Sequence, residues 1–540
     1  MVDRRKFLKT VVTAGGIALI DPRLVFGSSH LRSTEFFGIH PFIENNPDAV
    51  FIMKTNVDTK TNSEEKKQAG FVFGKSVFVF LSESEGGVPL THSVVIKPNL
   101  TGRGKWMEGY TIERSMGVVT DAYFVEGVIE ALKALGISGS QMYMREVNSP
   151  DDWAEGGYTD MAQRTGVDLK DMSAQVGEIA EDELIWRDVE NGVWFRKIPY
   201  LRPVNAPDTF LINIAKFKAH GMGLTLTAKN LQGTIAHNYQ QHCKSYYSDM
   251  NMSPAHIVPD AKETIMENYK RHVADGIPRW DKPGSNGGIW QETWASRCLD
   301  NNSVTKPNLH IIEGIYGHDG DFIRGPSLGD DIKDGFATDY MTNIIIFGKN
   351  PFYVDIIGHW LGGHEPGNFG LFHLAKERGF ISLINPMKIP VYEWKADGNA
   401  VLTPLINFER TPLKTYYLQR NYNGQNEPYW HLCNEPYDYN ETGIDLFNTS
   451  DRPEAFVLFQ NYPNPFNPLT SIEFRIPKNG FTRLEIFNAR GEIIDILVNK
   501  YCQKGSHMVI WNSRNYPSGI YFYRLRFGSF SETKRMSLIK

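Results

Sequence analysis

Phe210–Gly233 reads FLINIAKFKAHGMGLTLTAKNLQG, and its two halves differ in character. Thr209 to Ile214 is a mostly apolar run rich in β-branched and aromatic residues, which predicts a strand. Lys216, Lys218 and His220 follow, then Gly221 and Gly223, then Thr225, Lys229, Asn230 and Gly233. Such a cluster leaving a strand suits an anionic group, because glycines leave backbone N–H donors accessible and lysines supply compact positive charge. Lys218 or Lys229 would act as nucleophile or base where desolvation lowers its pKa, with His220 as acid–base group or metal ligand. The plainer reading of the same residues is a solvated basic loop before a helix. No G-x-x-x-x-G-K-[ST] phosphate loop is present, and a lone Gly-x-Gly is weak evidence for one.

Outward from this stretch, β-rich runs alternate with helical ones between about Gly38 and Lys395. Strands are expected at Ser93 to Ile96, Gln141 to Val147, Leu309 to Ile315 and Asn343 to Phe347. Phe124 to Leu135 carries apolar residues at Phe124, Val128, Ile129, Leu132 and Leu135 and stops at Gly136, the pattern of an amphipathic helix. Further helices are expected over Phe352 to Leu361 and Leu371 to Arg378. The alternation predicts a three-layer α/β domain with a largely parallel sheet. In such sheets ligands gather beyond the carboxyl ends of the strands.

Two more polar clusters fall at such ends. Lys97-Pro98-Asn99 follows SVVI, with Pro98 holding Lys97 extended. Glu313 stands near the end of LHIIEGI, and His318, Asp319, Asp321, Gly325 and Gly329 follow it. Lys97, Asn99, Lys216, Gly221, Gly223, Asn230 and Gly233 are therefore the residues expected to hold an anionic substrate or cofactor. His220, His237, His242 and His318 offer metal ligands, yet no H-E-x-x-H or calcium-loop spacing appears. Asp355 lies within the apolar helix NPFYVDIIGHWLGG and needs a partner, for which a loop lysine would serve. Residues 254 to 302 look like an insertion placed to act as a lid.

These three clusters carry a family resemblance. VVIKPNL, FLINIAKFKAHGMGLTLTAKNLQG and the stretch from IIEGIYGHDG through GKNPFYVDIIGHWLGG resemble the family called domain of unknown function 362, across about Ser93 to Phe380. The run K-x-K-x-H-x(8)-K-N-x-x-G is the most specific part of the likeness. Some members of that family carry an iron–sulfur module, for which this chain lacks the cysteines.

The whole chain has 540 residues, which at roughly 150 per domain implies two to four units. Hydrophobic residues make up 41% and charged residues 22%, a globular balance. A net charge of −5 leaves no basic footprint for nucleic acid. The four cysteines, Cys243, Cys298, Cys433 and Cys502, are too widely spaced to predict any pairing.

Both ends read as addresses. Asp3 to Lys9, DRRKFLK, precedes the uncharged Thr10 to Ile20, a stretch too short for a bilayer span of ~20 residues. Arg4-Arg5 with Phe7-Leu8-Lys9 resembles the twin-arginine signal, and 1–28 is read as that signal peptide. Cargo of that route is generally exported folded, often because a cofactor is inserted beforehand, which raises the expectation of a bound cofactor and leaves its identity unknown. From about Phe456, short alternating runs separated by Pro, Gly and Asn predict a small antiparallel β-sandwich of immunoglobulin-like form. Gln460–Pro468, QNYPNPFNP, holds three prolines that cannot donate to a ladder, so it is expected as an extended edge or linker. That string, followed by I-x-F-x-I-P and the GIYFYRL strand, resembles the type A sorting domains of type IX secretion.

The expected protein is thus exported by way of the periplasm to the surface or medium, with the twin-arginine and type IX machineries as partners and no stable transmembrane segment. Two readings of the central domain are compatible with its residues. One is an enzyme using Lys97, Lys216, Lys218, Lys229 and His220 on an anionic ligand. The other is a non-catalytic binding protein whose tryptophans, Trp290 and Trp294 among them, contact a small ligand or cell-wall component.

Overall fold

The computed structural model describes residues 35–100, 117–147, 150–171, 179–236, 246, 256–282, 287–319, 339–418, 421–422, 425–426, 431–439, 457–461, 464–476, 480–502, 505–528 and 530–539. The signal peptide and His237, His242, Cys243, Asp321, Gly325 and Gly329 lie outside the described residues. The chain divides into two compact units, one ending at Glu441 and the other beginning at Thr442.

The first unit is built on a sheet of ten strands. In chain order these are β1 (Val50–Lys54), β2 (Ser93–Pro98), β3 (Met142–Glu146), β4 (Asp168–Asp171), β5 (Thr209–His220), β6 (Gly223–Thr225), β7 (Leu309–His318), β8 (Asp339–Gly348), β9 (Val391–Trp394) and β10 (Ala400–Leu402). Their spatial order is β10-β9-β1-β8-β7-β5-β2-β3-β4, with β6 folded back on β5. Strands β7, β5, β2, β3 and β4 run parallel to one another, and β9 runs parallel to β1. β8 is antiparallel to both neighbours, and β10 to β9, so the sheet is mixed and mostly parallel.

Helices cover both faces. α1 (Ser63–Val77) and α2 (Ala122–Lys133) lie on one. The other carries α3 (Thr227–Asn230), α5 (Gly288–Val304), α6 (Pro351–Leu361) and α7 (Gly370–Glu377), with α4 (Ala261–Ala274) against α5. The side chain of Asp121 accepts from Tyr123 N and Phe124 N, which starts α2 two residues before the apolar stripe predicts. Asn350 caps α6 in the same way, with Pro351 at its first position. β5, β7 and α6 are buried along all or nearly all of their lengths, which accounts for their near-continuous apolar runs.

The largest departure from expectation is the length of β5. Its strand does not stop at Ile214 but runs on to His220, paired with β7 on one side and with β6 on the other. The chain reverses at Gly221-Met222, and Gly223 takes φ +108°, a conformation that favours glycine. Lys216, Lys218 and His220 are therefore buried strand residues rather than members of a loop. A lysine is buried only where a carboxylate answers it, and the one that answers Lys216 comes from a strand almost a hundred residues away in sequence.

The second unit is antiparallel. β11 (Val457–Leu458), β12 (Leu469–Ile476) and β15 (Gly505–Asn512) form one sheet. The other holds β13 (Gly480–Phe487), β14 (Ile493–Cys502), β16 (Gly519–Phe527) and β17 (Phe530–Leu538). Ile472, Phe474, Leu484, Ile486, Trp511, Tyr523, Leu525 and Met536 fill the core, as expected of a β-sandwich. The proline-rich run lies along an edge. Phe466 N donates to Ser537 O at 3.0 Å and Ile539 N to Phe466 O at 3.0 Å, while buried Asn461 donates to Thr470 Oγ1 at 2.9 Å.

Candidate active site

Lys97, at the carboxyl end of β2, is the register partner of Asn213 on β5, so both side chains face α3. The Lys97 ammonium is fully buried and donates to the Glu146 carboxylate, to Pro98 O at 2.7 Å and to Asn230 Oδ1 at 3.1 Å. Burial pushes the Lys97 pKa down and that of Glu146 up, and their attraction opposes both shifts without cancelling them. Asn230 on α3 also accepts from Asn99 Nδ2 at 3.1 Å and donates to Asn213 Oδ1 at 2.8 Å. Gly233 permits this packing, since a Cβ there would stand 2.0 Å from Glu146 Oε1.

Lys216 belongs to a different network. It stands three residues beyond Asn213 on an alternating strand and so points to the opposite face of the sheet. There its Nζ donates to Glu313 Oε2 at 2.8 Å and sits 3.6 Å from the centre of the Tyr316 ring. Asp121 N donates to the same Glu313 oxygen at 3.1 Å, while the Asp121 carboxylate receives Lys66 Nζ at 2.8 Å and Tyr316 OH at 2.6 Å. Burial alone would raise Asp121, but Lys66, Tyr316 and Lys216 outweigh it and hold the group below the usual carboxylate range. At the mouth of this face His318 contacts Asp339 at 2.6 Å, and Lys60 reaches the other oxygen of Asp339 at 2.6 Å.

Lys229 occupies a third setting. It is half-buried on α3, lining a recess with Asp355 and His359 of α6, Gln291 and Trp294 of α5, and Tyr417. It makes no hydrogen bond or ion pair with any described residue. Asp355 accepts from Thr227 N at 2.7 Å, Thr227 Oγ1 at 2.6 Å and Ala228 N at 2.9 Å, so its partner is the start of α3 and not a loop lysine. Burial still lifts its pKa from 3.8 to about 7. Thr227 Oγ1 lies 3.1 Å from Pro351 O as well, so its single proton can go to that carbonyl while a protonated Asp355 donates to the hydroxyl. His359 is lowered to about 4 by burial and is neutral at physiological pH, its Nδ1 donating to Asp355 O at 2.9 Å.

The structure thus brings Lys97, Asn99, Asn230 and Gly233 together, places Lys216 across the sheet from them, and sets Lys229 on a separate recess. His220 closes β5, where its Nδ1 accepts from Met222 N at 3.1 Å; neither it nor Lys218, register partner of His318, is free. A Cβ at Gly221 would meet nothing within 4 Å, whereas one at Gly223 would meet Phe369 at 2.8 Å and His359 at 3.0 Å. Sequence reasoning missed Glu146, Asn213, Lys66, Asp121 and His359 as members of these networks. Glu146 had a visible signal, an acidic residue next to the last position of a predicted strand. The segment 254–302 supplies Gln291 and Trp294 to the recess through α5, a helix buried along most of its length.

Residues 94–359 match the family domain of unknown function 362. They belong to it. The core of each network falls inside this domain of unknown function 362, while Lys60 and Lys66 of the second network precede its matched boundary and Tyr417, which closes one wall of the recess, lies beyond it. Residues 460–539 match the secretion system C-terminal sorting domain, which makes the protein a secreted or cell-surface cargo of type IX secretion. No described helix is long and apolar enough to cross a membrane. No curated protein matches the chain.

Proposed function

We propose that the central domain binds a small anionic substrate or cofactor at Lys229, and that Asp355, which lines the same recess, serves as the acid–base group. The observation that carries this reading is the missing counter-ion. Lys60, Lys66, Lys97 and Lys216 each pair with a carboxylate, whereas Lys229 has none among the described residues. A half-buried ammonium facing a recess gains most from an anion brought to it. A carboxyl group lifted by burial to about 7 on the wall of the same recess is poised for proton transfer. Export in folded form through the Arg4-Arg5 signal, with the ligand already in place, belongs to the same reading.

The size of the recess favours a second reading, a non-catalytic binding protein. Its enclosed part of about 10 Å³ takes little more than one water-sized group, so a ligand presents only a charged end to it. Calorimetric titration of the intact protein with inorganic phosphate and with acetate, at low salt, tests the shared claim. Binding should fall about tenfold or more in Lys229→Ala. Equal affinity in that variant, or no binding to the wild type, removes the basis for both readings.

A further inference from the structure

On the other flank of α5, away from the recess, a groove of about 360 Å³ opens between α4, α5 and α7, within the range of ligand sites. Glu292, Ser296, Leu299 and Ser303 of α5 recur every three or four residues, so one stripe of the helix faces it. Gln291 and Trp294, which line the recess at Lys229, belong to a different stripe.

Glu292 is only 1% exposed, and its neighbours hold it in place. Oε2 accepts from His272 Nδ1 at 2.7 Å and from Trp280 Nε1 at 2.8 Å. On its far side His272 donates to Glu377 at 2.8 Å, and Arg271 holds Glu377 from outside at 2.6 Å. Glu292 Oε1 and, one helical turn on, the hydroxyl of nearly buried Ser296 make no hydrogen bond with any described residue. Both residues line the groove. Polar groups in such positions gain free energy from a ligand that supplies a donor and an acceptor.

Leu299, on the same stripe, and Val193, Leu374 and Phe380 give the groove its apolar lining. The charges lining the groove nearly cancel, with Glu190, Glu292 and Glu377 against protonated His272 and Arg378. An ion of either sign gains little there. We propose that this groove is a saccharide site, in which hydroxyls of one sugar edge bond to Glu292 and Ser296 while the C–H face lies on Leu299 and Phe380.

Calorimetry and ligand-observed NMR on the full chain, with glucose, galactose, mannose, N-acetylglucosamine and their disaccharides, test it. At least one should bind with a dissociation constant near or below ~1 mM. Asn268→Trp, at the half-buried rim, should weaken that binding about tenfold or more, and Ser296→Ala several-fold. Ser296→Ala removes one hydroxyl and keeps the fold, so it carries the test if the tryptophan variant misfolds. No binding by any sugar at millimolar concentration overturns the proposal, as does binding equally tight in the variants. Tighter binding of the diamine putrescine than of any sugar also overturns it, because the free carboxylate oxygen would then be recruiting a cation.

Discussion

Lys97 and Glu146 form an ion pair with both members buried, and its worth depends on what is removed. Taking two charges out of water costs several kcal/mol per ion, which the contact between them and the bonds to Pro98 and Asn230 must offset. Glu146→Gln leaves the ammonium without its counter-charge and should destabilise the domain by about 3–5 kcal/mol in urea unfolding. Lys97→Met with Glu146→Leu together should cost clearly less than the two single changes summed. Additive losses would mean that the pair does not act as a unit. The lysines were visible in the sequence as residues near strand ends, but their partners were not. Glu313 faces Lys216 only because β7 lies beside β5, and Glu146 reaches Lys97 only because β3 ends level with β2.

At the scale of elements, α3 needs its surroundings. Four residues do not make a stable helix in water, because nucleation fixes several dihedrals for one hydrogen bond. Asp355 of α6 satisfies its first N–H groups, and Asn302 and Asn301 of α5 donate to Ala228 O at 3.0 Å and Leu231 O at 2.8 Å at its end. Lys229 is thereby held at the recess by two other helices. The raised pKa of Asp355 has a stability consequence with a definite sign. Between about pH 4 and about 7 the folded protein keeps a proton that the unfolded chain has lost, so the stability this group contributes is fully present at low pH and disappears as pH rises toward about 7. Urea midpoints measured at pH 5 and pH 8 should show the wild type losing ground relative to Asp355→Asn at the higher pH. A gain instead would mean that the helix donors keep the carboxylate ionised throughout. Sequence pattern placed α2 and α6 within two residues of where they stand, because the apolar stripe of α2 and the near-continuous apolar run of α6 are both local signals. It left out the end of β5, where the buried lysines imitate a loop.

For the whole molecule, the sorting domain that directs secretion and the domain of unknown function 362 occupy separate stretches of the chain. Removing residues from 456 onward should leave the protein in the periplasm, with binding of inorganic phosphate at Lys229 unchanged; cell fractionation showing undiminished secretion would contradict the assignment. The sequence by itself determined this modular order, the α/β class of the centre and the β-sandwich of the tail. Alternating periods, proline-rich punctuation and motif spacing are local properties and need no fold to be read. Only the tertiary structure decided which charges meet. It separated Lys97, Lys216 and Lys229 into three settings, because Lys216 lies on the face of β5 opposite Asn213 and Lys97, Lys229 stands on α3, and the carboxylates that answer Lys97 and Lys216 come from other strands.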